Sequence, residues 1–286
     1  MMSTMHADGA NYYLPGPSPY PIILSVSLFF LALGGALAVN GYRAGRWTAL
    51  VGAVILVYAL SAWIGRVIRE NRMGAYQAQV DRSFRWGMGW FIISEVVFFS
   101  SLFGVLFYER NIAVPWLASF NPHYSPWAGF HAAWPTSGPS GGPFTPENAW
   151  GIPALNTLIL LMSGGTITWG LQQLIKGRRR VATIAVGATI ALGMVFLALQ
   201  GREFYLAYTK LHLTLTSGVY GATFYILTGF HGLHVTIGLI MLSVILGRCM
   251  KGHFGPEDHF GFEAVSWYWH FVDVVWLLLF VFVYWL

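Results

Sequence analysis

Seven stretches of mostly apolar residues run through this chain, each about twenty residues or longer, the length that crosses a bilayer as a helix. They lie at about 21–40, 47–66, 84–107, 153–175, 181–200, 218–247 and 264–286. Pro21 and Pro153 fall at helix starts, where a missing N–H would have no partner in any case. Only 9% of the residues are charged, against about 25% in an ordinary soluble domain. The expected fold is all-α, a polytopic membrane protein of seven transmembrane helices. Residues 1–286 read as a single membrane domain, with helices 1–2 in 21–66 and helices 3–7 in 84–286.

The basic residues set its direction. The connections on the N-terminal side of the membrane carry eleven Lys and Arg, from Arg66 through Arg85, Lys176 through Arg180, and Arg248 with Lys251. The opposite side carries five: Arg43, Arg46, Arg110, Arg202 and Lys210. The positive-inside rule places the N-terminus inside and Leu286 outside. The net charge of +5 therefore reads as orientation and attraction to anionic lipid, not as a nucleic-acid surface. Cys249 is the single cysteine, so an intrachain disulfide or a cysteine metal cage is excluded. Met1 to Ala10 has no basic flank before a short apolar core and does not read as a cleavable signal peptide.

The outer loop 108–152 holds seven prolines together with Trp116, Trp127, Trp134 and Trp150. Loops of this length are often functional. Two compatible readings are an ordered cap with tryptophans at the headgroup level and a docking surface for another subunit. Small residues cluster at Gly34-Gly35, Ser163-Gly164-Gly165 and Gly229/Gly232, where backbones of neighbouring helices can approach closely. No internal repeat is evident, so an inverted-repeat transporter gains no support.

Five ionisable side chains lie at membrane depth: Glu95, His231, His234, His270 and Asp273. At about 1.5 Å rise per residue, Glu95 is roughly 16 Å, Asp273 roughly 14 Å and His234 roughly 20 Å from the inner ends of their helices. These levels overlap enough for the side chains to meet if the helices are neighbours. Three readings stay open. Each acid pairs with histidine, tryptophan N–H or serine from an adjacent helix and pins the packing. Alternatively, His231, His234 and His270 hold haem or metal, which needs further ligands and supporting hydrogen bonds. A third possibility is that a carboxyl such as Glu95, neutral unless a cation is close, handles protons. No phosphate loop, dinucleotide fingerprint, HExxH or nucleophile–base arrangement stands out, so neither a catalytic residue nor a metal ligand set is assigned.

Four motifs then carry a family resemblance: FIISEVVFF at 91–99, SGVYGATFY at 217–225, GFHGLHVTIG at 229–238 and HFGFEAVSWYWHFVDVVWLLLF at 259–280. Together they resemble cytochrome c oxidase subunit III, in the family's order, over about residues 15–286. The resemblance implies a non-redox core subunit of an aa3-type oxidase, which oxidises cytochrome c, reduces oxygen and pumps protons in aerobic respiration. It implies no haem or copper in this chain; haem a and copper belong to the partner subunits I and II. It also implies two helices splayed from five, with a cleft holding phospholipid. Arg69, Arg85 and Arg248 are then candidates for lipid phosphates, which guanidinium groups pair well. Glu95 matches the family's buried, carbodiimide-reactive glutamate. The implied role is to stabilise the catalytic subunit and sustain proton uptake at the inner face. The alternatives from other classes are a haem-binding membrane electron carrier and a seven-helix transporter.

The chain departs from the family pattern in places. Thr168-Trp169 is followed by Gly170-Leu171-Gln172-Gln173 where many members carry histidines, and Ser217 stands where aspartate is common. The loop 201–217 reads as longer than usual. Related quinol oxidases share parts of the signature but usually lack the first two helices, which this chain has. The expected location is the bacterial cytoplasmic membrane, with the mitochondrial inner membrane as the alternative.

Overall fold

The computed structural model describes residues 16–74, 76, 78–119, 127, 130–139 and 141–286. The segment Met1–Ala10 discussed above, and the loop prolines Pro122 and Pro126, lie outside the described residues. The described residues are helical and irregular, with no strand among them. The helices are α1 (Tyr20–Val39), α2 (Arg43–Arg72), α3 (Ala78–Tyr108), the short α4 (Val114–Ala118), α5 (Ile152–Ile175), α6 (Arg179–Lys210), α7 (Val219–Met250) and α8 (Phe260–Leu279). A π-helical turn, Glu109–Ala113, joins α3 to α4, and another, Phe280–Trp285, continues α8. Seven of these segments are long and apolar enough to cross a membrane.

The chain divides into two compact units, Met1–Phe84 and Arg85–Leu286. The first is built on a close hairpin of α1 and α2. Small residues set the spacing: a Cβ on Gly34 would collide with the backbone of Ala49, one on Gly45 with that of Ala38, and one on Gly52 would lie 2.7 Å from the Leu31 nitrogen. Such approach is how helices associate where lipid tails are as apolar as the side chains. Gly41, at φ +84°, makes the reversal between them, a conformation costly for any residue with a Cβ. At the opposite end of α2, Glu70 accepts from Arg66 Nε at 2.8 Å and from the Tyr76 hydroxyl at 2.9 Å.

The second unit is packed differently, around large aromatic side chains. Trp269, Trp276, Phe196, Phe224 and Phe262 are wholly buried. Antiparallel α5 and α6 are held by a Thr166–Thr189 hydroxyl pair at 2.8 Å and by Gly170, whose added Cβ would lie 3.0 Å from that of Ala185. Helix α8 then locks onto α5. Trp269 Nε1–H donates to Ser163 Oγ and Trp276 Nε1–H to Thr157 Oγ1, each at 2.9 Å. The accepting hydroxyls pass their own protons to backbone carbonyls of Leu160 and Pro153, so both tryptophan N–H groups are satisfied without water.

Several helices outrun the spans drawn from hydropathy. Helix α6 continues past 200 to Lys210, which shortens the connection to α7 to residues 211–218 and corrects the long loop expected at 201–217. Gly201-Arg202-Glu203 ends an apolar window, yet Gly193, Phe196, Gln200, Glu203 and Ala207 recur every three or four residues and are all buried. Likewise α3 runs through its π-helical turn to Ala118, so irregular chain begins at Ser119 and not at 108. The widened turn precedes Pro115, which cannot donate to the helix ladder.

The later part of this loop is fastened over the ends of α6 and α7. Thr145 N–H donates to Leu211 O at 3.0 Å, and Tyr220 N–H to Thr136 O at 3.2 Å. Phe144 stacks on the Tyr220 ring at 5.4 Å, and Trp134 meets that ring edge-on at 5.7 Å. Trp150 packs against Phe280 and Trp285.

Candidate functional site

The five ionisable residues at membrane depth all fall in the second unit, and they form three separate arrangements. Glu95 on α3 meets His234 on α7, with Oε2 2.9 Å from Nε2. The other ring nitrogen, Nδ1, is 2.7 Å from the Phe230 carbonyl, which can only accept, so Nδ1 carries a proton. The contact between Nε2 and Oε2 then contains a single proton. It resides either on the carboxyl, facing a neutral imidazole, or on the ring, facing a carboxylate. Phe99 packs edge-on against the imidazole at 4.9 Å, and Phe98 and Tyr268 lie over it at 6.1 and 6.5 Å. The Tyr268 hydroxyl donates to the His234 carbonyl at 3.3 Å, tying α8 to the same turn.

His231 is one turn away on α7 and wholly enclosed. Its Nε2–H donates to the Val272 carbonyl of α8 at 3.2 Å, and the ring sits between Phe196 at 5.7 Å and Trp276 at 5.1 Å. His270 and Asp273 make the third arrangement on α8. His270 Nε2 is 2.9 Å from Thr168 Oγ1, whose own proton goes to the Gly164 carbonyl, so the ring nitrogen is the donor. His270 Nδ1 is 3.5 Å from Asp273 Oδ2. The Asp273 carboxylate lies directly against the α-carbon of Gly164, where a Cβ would collide with it. An open groove of about 540 Å³ runs past Gly164, Gly165, Thr168, His270 and Asp273; Glu95 and His234 do not line it.

Sequence alone placed small residues at helix contacts, and their neighbourhoods differ. Gly34 and Gly164 are pressed against other residues, whereas Gly35, Gly165, Gly229 and Gly232 face open space within the chain. The glycines that seat the largest core side chain are Gly193 and Gly238, which sequence reading did not single out. A Cβ on either would come within 2.9 Å of the Trp269 ring.

At the basic end of the unit, Arg85 is ion-paired with Glu263 at 2.7 Å and lies over the Phe260 ring at 5.0 Å. The Arg248 guanidinium lies 4.1 Å over the Phe254 ring. Arg69, in the first unit, is exposed on α2. Sequence reading missed a further polar group at the opposite end, around Glu203, because the hydropathy window closed before it.

His231, His234 and His270 each have at least one ring nitrogen committed to another residue, and those partners are carbonyl, carboxyl and hydroxyl groups of neighbouring helices. Among the described residues, no group of three or more His, Cys, Asp or Glu is placed to hold a metal ion.

The fold and these paired groups define a multi-pass helical membrane protein whose ionisable side chains join helix to helix. The family model described as "Cytochrome c oxidase subunit III" matches residues 10–286. Curated relatives named cytochrome c oxidase subunit 3 include those of Marchantia polymorpha, 39% identical over 275 residues, and Formosania lacustris, 40% identical over 275 residues. Another, from Arabidopsis thaliana, is 37% identical over 281 residues. In each comparison 96% of this chain and 96% of the relative are covered. The chain belongs to the cytochrome c oxidase subunit III family.

Proposed function

We propose that this chain is a non-redox core subunit of a cytochrome c oxidase in an energy-coupling membrane. Its N-terminus lies on the inner side, and it binds subunit I in an assembly with subunit II. Haem a and copper reside in those partners, where they supply the electron transfer and oxygen chemistry. The reading is carried by the family match, which spans both units and nearly the whole chain. The way His231, His234 and His270 are used supports it, since each one joins one helix to another. The chain then acts as a scaffold that steadies the catalytic subunit, and the Glu95–His234 pair places one transferable proton at membrane depth. Affinity purification through a tag on this chain tests the reading. Haem-containing partners should co-purify in fixed ratio; a functional monomer recovered alone would overturn it.

Phospholipid contacts belong to the same proposal. Arg85 and Arg248 present guanidinium groups at the basic end of the second unit, and Arg69 presents one on α2 of the first; each is suited to lipid phosphate. Arg85 already holds Glu263, so a phosphate would join that ion pair rather than replace solvent around a lone cation. The double variant Arg69→Ala/Arg85→Ala should retain less anionic phospholipid on purification, measured by mass spectrometry. Assembly should survive, because a partly exposed ion pair contributes only about 0–1 kcal/mol. Unchanged lipid retention would remove both residues from the lipid contacts.

A further inference from the structure

The end of α6 opposite the basic face carries an acid for which the oxidase reading has no use. Glu203 is 0% exposed, and Gln200, one turn before it, is 3% exposed. The Tyr284 hydroxyl, from the π-helical turn after α8, lies beside both the Glu203 carboxyl and the Gln200 amide. Asn156 on α5 is also fully buried. The antiparallel register that pairs Thr166 with Thr189 and Gly170 with Ala185 puts Asn156 level with Leu199 and Gln200. From the outer loop, Glu147 comes within electrostatic reach of Glu203 and Tyr220.

Eight buried polar atoms here lack a hydrogen bond of good geometry among the described residues, and the only side-chain contacts within reach are those of the Tyr284 hydroxyl with Glu203 and Gln200. The eight are both oxygens of Glu203, both side-chain polar atoms of Gln200 and of Asn156, the Tyr284 hydroxyl and Glu147 Oε2. Native interiors leave very few such atoms unsatisfied, and here they gather at one end of one unit. The set mixes donors with acceptors. Water both donates and accepts, and it is the ligand that buried groups of this kind ordinarily recruit. The titratable groups facing Glu203 are Glu147, Tyr220, Tyr225 and Tyr284, with Tyr208 beside Tyr225. All are acids or phenols. Two carboxyls within electrostatic reach of each other, with no cation acting on Glu203 among the described residues, repel when both are ionised, so the pair favours holding a proton. Burial raises the Glu147 carboxyl above its ordinary value, which brings it toward the range where it can take that proton.

We propose that Glu203, Gln200, Asn156, Tyr284 and Glu147 enclose an internal water site that passes a proton between the buried Glu203 carboxyl and the half-buried Glu147 at the outer loop. In the step, Glu203 gives its O–H proton to a bound water, and that water gives one of its own protons to the Glu147 carboxylate. One O–H bond is lost at Glu203 and one is gained at Glu147, and the negative charge moves the opposite way. The proposal stands on this end of the second unit and does not depend on the oxidase reading.

The test uses the purified assembly with isotope-labelled glutamate and infrared spectroscopy on transfer from H2O to D2O. The unaltered protein should show a protonated-carboxyl band that shifts on exchange and is absent in Glu203→Gln. In Glu147→Gln the exchange of that band should slow by about a hundredfold, the lower end of what a positioned acid–base group contributes. High-resolution density of the unaltered assembly should show ordered water between Glu203 and Gln200. An unchanged exchange rate in Glu147→Gln overturns the proposal, as does density in which the side chains bond directly with no water between them. Should Glu203→Gln fail to assemble, the Glu147→Gln rate and the density of the unaltered protein decide the question.

Discussion

Trp269→Ala should lower the stability of the second unit by about 3–5 kcal/mol, the cost of emptying a fully buried aromatic site. The ring is 0% exposed, and Gly193 and Gly238 leave it just enough room. Neither glycine can extend a side chain into the space left behind. Ser163 Oγ also loses its donor. Trp269→Phe should cost much less, because it keeps an aromatic ring in place and forfeits one hydrogen bond of about 0.5–1.5 kcal/mol together with part of the ring volume. Thermal unfolding of the purified assembly, followed by retention of this chain, measures both. Equal losses for the two variants would show that the hydrogen bond, and not the volume, governs the site.

Glu95 separates two roles in one side chain. In Glu95→Gln the amide N–H can donate to His234 Nε2, whose ring proton is already committed to the Phe230 carbonyl. Assembly should therefore be preserved. Glu95→Ala leaves Nε2 among Phe98, Phe99 and Tyr268 with its partner gone, at a cost of about 1–3 kcal/mol. Native gels and melting temperatures of the two variants compare these outcomes. Identical behaviour would mean that the hydrogen bond does not hold α3 to α7. A carbodiimide that labels another acid and leaves Glu95 untouched would argue against a protonated carboxyl there.

The seven spans were legible because a bilayer imposes a length and a polarity that composition alone reveals. Their ends were not. Glu203 sits inside α6 and still reads as a terminus, since hydropathy weighs a charge without knowing which way it faces. The periodic run from Gly193 to Ala207 was the signal that would have extended the helix. The polar residues themselves were also legible, because a bilayer makes each of them conspicuous. Their partners were not, since depth along a helix is readable but the choice of neighbouring helix is not. Asp273 illustrates this: its ionisable companion is His270 on its own helix, and its carboxyl occupies the space that a Cβ on Gly164 of α5 would need. Glycine spacing misled for the same reason. Gly229 and Gly232 look like a contact pair and face open space, while Gly193 and Gly238 form a seat that exists only once three helices are assembled.

The single proton between Glu95 and His234 has an electrical consequence. A lone charge moved across an energised membrane feels about 2.3 kcal/mol for each 100 mV. A proton shared within one 2.9 Å hydrogen bond moves charge over only a small fraction of the membrane thickness, whichever partner holds it. The pair can keep the same hydrogen bond whether the membrane is polarised or discharged, and the anchorage of α3 to α7 is thereby insulated from the gradient around it.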